Sequence, residues 1–237
     1  MGYLTGKRVL VVGGSSGIGL AAAVRALEGG ASVTIASRSA QKLAAAQAEL
    51  GGKAEAVVLD AGDAAAVDAF FAARPPFDHI VVSAAQTKSA PVRNFVLEDA
   101  YASMNSKFWN AFRIARAAKF AEGGTLTLVS GYLSLRPAKG NVLQGAINAA
   151  VDLLGRGLAI EFAPIRVNVV SPGYVDTPLW GTTSAAERKA LNDRIAAGLP
   201  AGVAGTGEHV AIQIAAFWEN AYQTGSVVYL EGGGSLV

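Results

Sequence analysis

Short apolar runs alternate along the chain with longer amphipathic or alanine-rich stretches. Arg8–Val12 is a β-branched run with strand character, and Gly17–Glu28 has a helical pattern that stops at Gly29-Gly30. The alternation continues with a strand at Ser32–Ala36, a helix at Ala40–Leu50 and a strand at Glu55–Leu59. Asp63–Ala73 reads as a helix with Asp63 as its N-cap, followed by a strand at His79–Ser83. A long helix over Leu97–Ala121, a strand at Thr125–Ser130 and a second long helix over Asn141–Phe162 come next. Strands at Arg166–Val170 and Ser226–Leu230 enclose a helix near Glu208–Trp218.

Strands separated by helices of ten to twenty residues imply right-handed βαβ units and a parallel sheet. About seven such strands predict an α/β fold: a Rossmann-type doubly wound parallel sheet with helices on both faces. No repeat or linker divides residues 1–237, so a single domain is expected. The least regular long segment, 172–200, is expected to carry one short helix around Ala185–Ala197 and to act as a substrate lid.

Composition narrows the picture. Of 237 residues, 51% are hydrophobic and 16% charged, which suits strands buried on both faces. A formal net charge of +2 without a Lys/Arg cluster argues against nucleic acid as a partner. With no cysteine there are no disulfides, thiolate metal sites or thiol nucleophiles, and no metal site is expected. No apolar run reaches the ~18–20 residues of a membrane span. The basic pair Lys7-Arg8 and the apolar residues after it resemble a signal peptide only superficially, because the run breaks at Gly13-Gly14-Ser15-Ser16. A cytoplasmic protein is expected.

The candidate chemistry begins at that break. Gly13, Gly17 and Gly19 follow the first strand and open the first helix. There a tight turn, close backbone approach and a helix N-terminus together suit a pyrophosphate, so the loop predicts dinucleotide binding. The end of the second strand carries Ser37-Arg38 where an NAD site would place a carboxylate. Arg38 can fork onto a 2′-phosphate with Ser37 beside it, which predicts NADP(H) in preference to NAD(H).

With these residues in view, the chain resembles a short-chain dehydrogenase/reductase over essentially its whole length. Gly13, Ser15, Ser16, Gly17, Ile18 and Gly19 resemble that family's cofactor loop. The resemblance implies that Asp60, with Ala61, holds the adenine, and that Pro172, Gly173, Val175 and Thr177 cradle the nicotinamide amide. Thr224-Gly225 through Glu231-Gly232-Gly233 resembles the C-terminal strand signature. Ser83-Ala84-Ala85-Gln86 stands in place of the family's Asn-Asn-Ala-Gly and is expected to line the cofactor.

The reacting residues depart further. The family uses Asn, Ser, Tyr and Lys, the last two being four apart on the helix after the fifth strand. Asn105 matches the first; ungapped registration puts Gly131 at the serine, Gln144 at the tyrosine and Asn148 at the lysine. Ser130 would serve as the serine only through a one-residue bulge. Tyr3-x-x-x-Lys7 has the spacing but precedes the first strand, and Tyr132-x-x-x-Arg136 falls in a loop. Other proton sources near the expected cleft are Tyr132, Tyr174, Lys88 and Lys139; each also reads as packing or solvated, and His79 and His209 read as structural.

Glutamine cannot titrate, so ordinary ketone reduction is expected to be slow and to show no tyrosine–lysine pH dependence. Hydride transfer to a carbonyl, an imine or iminium, or a conjugated acceptor remains open, with Asn148 holding the ribose and Gln144 meeting the substrate. A catalytically silent NADPH-binding protein and a non-redox enzyme of the same fold also remain open. Leu179 and Trp180 in the expected lid suit an apolar or aromatic substrate. The helices at 97–121 and 141–162 carry apolar residues on more than one face (Phe108, Trp109 and Phe112; Leu143, Ile147, Val151 and Leu154), which predicts a homodimer or homotetramer.

Overall fold

The structure is a computed structural model that describes residues 2–177 and 184–237. Seven parallel strands form one sheet, ordered β3-β2-β1-β4-β5-β6-β9. These are β1 (Arg8–Val12), β2 (Ser32–Ser37), β3 (Ala54–Val58), β4 (Phe77–Val82), β5 (Phe120–Val129), β6 (Arg166–Pro172) and β9 (Val227–Leu230). Two short parallel strands not expected from sequence, β7 (Val175–Asp176) and β8 (Gly205–Thr206), make a separate pair.

The helices are α1 (Gly17–Glu28), α2 (Ala40–Glu49), α3 (Ala64–Ala72), α4 (Leu97–Met104), α5 (Asn110–Ala117), α6 (Val142–Glu161), α7 (Ala185–Ala197) and α8 (Gly207–Glu219). Asp63 caps α3, accepting from the N–H groups of Ala65 and Ala66. Among the described residues no helix is long and apolar enough to cross a membrane.

Alternate strand residues feed two separate cores. Val9 and Val11 of β1 pack with Ala22, Ala23 and Ala26 of α1 and Ile214, Phe217 and Trp218 of α8. Leu10 and Val12 turn to the other face, where Phe70, Phe71, Ile114, Val151 and Leu158 cover the sheet. Both faces are thus buried, which explains the continuous Val/Ile/Leu runs and the scarcity of charge. The order reverses between β1 and β4, so a crevice opens at the C-terminal ends of those strands.

The sequence expectation fails most clearly at 97–121. The helical region is broken by a π turn at Asn105–Trp109 and ends at Ala117; Phe120 already begins β5 by pairing with Phe77. Ala118 leaves the helix with an extended ψ of 137°. The apolar content of 118–121 suited either element, and cross-strand pairing decides it.

His79 lies in the first core. Its Nδ1 meets Thr125 Oγ1 at 2.8 Å, and its ring stacks on Trp218 with centroids 5.6 Å apart. Burial lowers its pKa to about 4, with Asp78 pulling weakly the other way. The fold therefore holds His79 neutral, and its contribution is complete above about pH 6.5 and lost as pH falls toward about 4. We expect the free energy of unfolding to drop by roughly 3 kcal/mol more in the parent than in His79→Gln across that window. Denaturant titrations at several pH values check this; parallel pH curves for the two proteins would contradict it.

Candidate active site

Three elements meet at the switch point more closely than side chains allow. Gly13 follows β1 at φ 91°, and a Cβ there would stand 2.5 Å from Ala84 N and 2.8 Å from Ser83 Oγ. A Cβ on Gly19 of α1 would stand 2.2 Å from Gly13 O and 2.5 Å from Ser83 Oγ. Ser16 begins α1 without a side-chain hydrogen bond to it, and the first turn carries no acidic residue. By contrast α2, α3, α7 and α8 are each capped by their own Ser, Asp or Thr. The open N–H groups of α1 thus point into the crevice, where an anion would satisfy them.

The rim carries the remaining expected cofactor residues. Thr177 stands opposite Gly17, where an added Cβ would meet its Cγ2 at 3.2 Å. Pro172 ends β6; Gly173 donates its N–H to Leu230 O at 2.8 Å, and Val175 pairs with Gly205, which pins this segment beside the loop. At the end of β2, the Ser37 hydroxyl is buried without a partner. Exposed Arg38 donates from Nη2 to Gln86 Oε1 at 2.8 Å. Asp60 is exposed and accepts from Gly62 N at 2.9 Å, next to buried Ala61; Ile18 packs against the first core, while Ser15 is half-buried and Ala85 exposed. A cradle without room for side chains, an uncapped helix and an orphan hydroxyl beside a forked cation fit a dinucleotide carrying a phosphorylated ribose.

The residues expected to react fall into two groups. Gln144 and Asn148 lie four apart on α6. Gln144 is tied to the loop after β4: Oε1 accepts from Ser89 Oγ at 3.0 Å and Nε2 donates to Thr87 Oγ1 at 3.2 Å. Asn148 is buried, and its Oδ1 accepts from Lys107 Nζ at 2.7 Å. Lys107 also donates to Ser130 O at 2.8 Å. A Cβ on Gly131 would lie 2.7 Å from Asn148 Nδ2, so the missing side chain there is the room the Asn148 amide uses.

Asn105 and Ser130 stand differently from expectation. Asn105 is exposed, and its Oδ1 accepts from Arg113 Nη2 at 2.7 Å. The side chain that reaches Asn148 from this helical region is Lys107, inside the π turn, because the turn's extra residue shifts the helix phase. β5 and β6 stay in step through Val129 and Val170, with no bulge. The Ser130 hydroxyl is committed to Asp152 and to Ser171 (3.1 Å), with Tyr229 OH 3.4 Å from the other Asp152 oxygen. It is the Ser130 carbonyl, not its hydroxyl, that meets Lys107.

Lys107 was not singled out from sequence. Its signal was present: it is the only cation between residues 97 and 112, set among Met104, Phe108 and Trp109. Burial pulls its pKa down to about 8, against the opposing pull of the Asp152 carboxylate. The other proposed proton sources are engaged elsewhere or exposed. Tyr174 OH donates to Asn192 at 2.9 Å, Lys88 pairs with Asp99 at 2.8 Å, and Lys139 is exposed. Tyr132 opens a short 3₁₀ turn, and His209 accepts from Thr206 N at the start of α8. Lys7 pairs with Asp78, and Arg136 donates to Gly234 O. Helix α7 is tethered to the segment after β6 through Arg188 and Asn192, both bound to Asp176. Leu179 and Trp180 lie outside the described residues. Among the described residues, no group of three or more His, Cys, Asp or Glu could hold a metal ion.

Comparison with known proteins agrees with this fold. A family model described as enoyl-(acyl carrier protein) reductase matches residues 12–235. The short-chain dehydrogenase/reductase ATR9 of Stachybotrys chlorohalonatus is 30% identical over 261 residues, covering 100% of both chains. An NADPH-bound short-chain oxidoreductase from Pseudomonas aeruginosa PAO1, containing an atypical catalytic centre, superposes with a TM-score of 0.89 at 29% identity over 98% of each chain. A small-chain dehydrogenase in complex with NADPH gives a TM-score of 0.82 at 29% identity, over 98% of this chain and 99% of that one.

The packing of Gly131 against Asn148 yields a test. We expect Gly131→Ser alone to destabilise by roughly 1–3 kcal/mol through overpacking. Most of that cost should vanish in an Asn148→Ala background, so the double-mutant cycle should be non-additive by about 1 kcal/mol or more. Additive effects in denaturant titrations would refute the contact.

Proposed function

The chain belongs to the short-chain dehydrogenase/reductase family, and on that premise we propose that it is an NADP(H)-dependent oxidoreductase with a remodelled active site, moving hydride to or from a small carbonyl, imine or iminium, or conjugated acceptor. The observation that carries the reading is the rim at the end of β2: a forked cation, Arg38, and an unpartnered buried hydroxyl, Ser37, beside the glycine cradle. When bound, the nicotinamide would supply the hydride in its reduced form and accept it in its oxidised form.

The chain's own residues do the rest. The open N–H groups of α1, with Ser15 and Ser16, hold the pyrophosphate, and Arg38 and Ser37 hold the 2′-phosphate. Gln86 takes one N–H of Arg38 and leaves the guanidinium its other donors. Asp60 faces the adenine end, and Pro172–Thr177 the nicotinamide end. Asn148 keeps its amide nitrogen for a ribose hydroxyl, and Gln144 offers the substrate a neutral hydrogen bond.

A silent NADPH-binding protein is the competing reading, supported by the glutamine at position 144. It differs in one outcome: NADPH binds, and no acceptor is reduced. A second copy of this chain is the partner we propose. Trp109 and Phe112 of the α5 region are exposed, as are Leu153 (70%) and Ile160 (83%) on the outer face of α6. Exposed apolar side chains of this kind are what oligomer interfaces bury.

Two measurements test these statements. NADPH should raise the melting temperature more than NADH at equal concentration, and Arg38→Ala should make the two shifts equal by weakening NADPH about tenfold or more. Equal shifts in the parent protein would sink the cofactor assignment. Light scattering at micromolar concentration should give at least twice the chain's 24.1 kDa, and Leu153→Asp with Ile160→Asp should reduce it to the monomer mass. A monomeric parent would refute the interface.

A further inference from the structure

We propose that Lys107 is the proton donor of this site, giving an N–H proton to the substrate oxygen, the role that the family's tyrosine would take. The inference rests on the oxidoreductase reading above and deepens it.

The geometry supports the assignment. Lys107 is bonded directly to two of the expected reacting positions: its ammonium is held by Asn148 Oδ1 at 2.7 Å and Ser130 O at 2.8 Å. Two of its three protons are so engaged, and among the described residues no third acceptor closes on it. Both acceptors are neutral, so no carboxylate locks the proton in place. Gly131 leaves the space in which Asn148 sits, so three positions cooperate to admit an ammonium from the neighbouring helical region. Gln144, on the same face of α6, has no proton to give.

The charged surroundings suit a donor that cycles near neutral pH. Burial favours the neutral amine and brings the pKa to about 8. Asp152 on α6 favours the ammonium, but its oxygens are held by Ser130 of the β5 end and Tyr229 of β9. On the element that carries Lys107, Arg113 turns to Asn105 and Asn110. In the reductive direction the carbonyl carbon takes hydride from the reduced nicotinamide and the oxygen takes one proton from Lys107. The C=O π bond is replaced by a C–H and an O–H bond, the nicotinamide is oxidised, and the neutral amine recovers its proton from water.

Two measurements on the full-length protein test the proposal. In protein labelled with ¹³C at lysine Cε, the Lys107 resonance, assigned by its absence in Lys107→Met, should titrate near pH 8 with and without NADPH. A midpoint of 10 or higher overturns the proposal. The second is single-turnover NADPH oxidation against a panel of ketones, cyclic imines and quinones. For the carbonyl acceptors the rate should be flat below about pH 8 and fall tenfold per unit above it. Lys107→Met should lose about a hundredfold or more in rate while its NADPH melting shift stays within a degree of the parent's. Lys107→Arg keeps the charge but yields no proton, so it should lose as much.

A Lys107→Arg protein as fast as the parent, or a Lys107→Met protein with raised KM for NADPH and unchanged rate, overturns the proposal in favour of a charge or ribose-holding role. Binding of NADPH with turnover of imines or quinones but of no carbonyl also overturns it. Absence of any NADPH melting shift in the parent protein, or binding with no turnover of any acceptor in the panel, instead overturns the oxidoreductase reading itself, which separates the two failures.

Discussion

The close meeting of β1, β4 and α1 is the constraint on which the rest of the molecule depends. Gly13 and Gly19 touch Ser83 and Ala84 at distances that exclude even one methyl group. That contact sets the angle at which α1 leaves the sheet, and so directs its uncapped N-terminus into the crevice. It also fixes the path of the chain after β4, because Ser83 and Ala84 both donate backbone N–H groups to Val12 O. The loop that follows carries Gln86, Thr87 and Ser89, which then hold Arg38 at one end and Gln144 at the other. A packing requirement in the middle of the sheet therefore places both the cation at the cofactor rim and the amide on α6.

Stability and function are balanced differently at the two ends of β4. At its start, His79 is packed against Trp218 and held neutral, an arrangement that serves the core. Beyond its end, side chains are short, polar and bonded across loops. The buried polar cluster of Ser130, Asp152, Ser171 and Tyr229 lies between these regimes. It satisfies a carboxylate inside the protein and leaves the Ser130 carbonyl for the ammonium of Lys107. Removing one member of such a cluster costs more than one hydrogen bond, since its partners are left buried and unpaired.

The order of strands and helices was legible because each strand is a short apolar run closed by glycine or a polar cap, and each helix pattern has a distinct stop. The placement of the glycine loop and of Arg38 was legible for the same reason: it depends on a local sequence of strand, loop and helix. Helix boundaries near 118–121 were not, since Ala118, Phe120 and Ala121 suit either element until Phe77 pairs with Phe120. Lys107 was hidden by a change of phase. The match to the family's asparagine drew attention to Asn105, whereas the π turn carries Lys107 to Asn148. The fate of Ser130 was equally invisible, because the direction of its hydroxyl is set by Asp152, twenty-two residues away.

The pairing of Lys107 with an amide at position 148 follows from electrostatics. Two unit positive charges about 4 Å apart repel by roughly 4 kcal/mol at the effective dielectric near a protein surface. A lysine at 148 and one at 107 therefore exclude each other, and an ammonium arriving from the α5 side requires a neutral acceptor on α6. Asparagine meets that need, since it presents an oxygen to Lys107 and keeps its nitrogen for another partner. Its shorter side chain would not reach that oxygen into place if position 131 carried a side chain, because the added Cβ would overlap the amide. Gly131, Asn148 and Lys107 thus form one coupled unit, in which the space left at 131 admits the amide that accepts from Lys107.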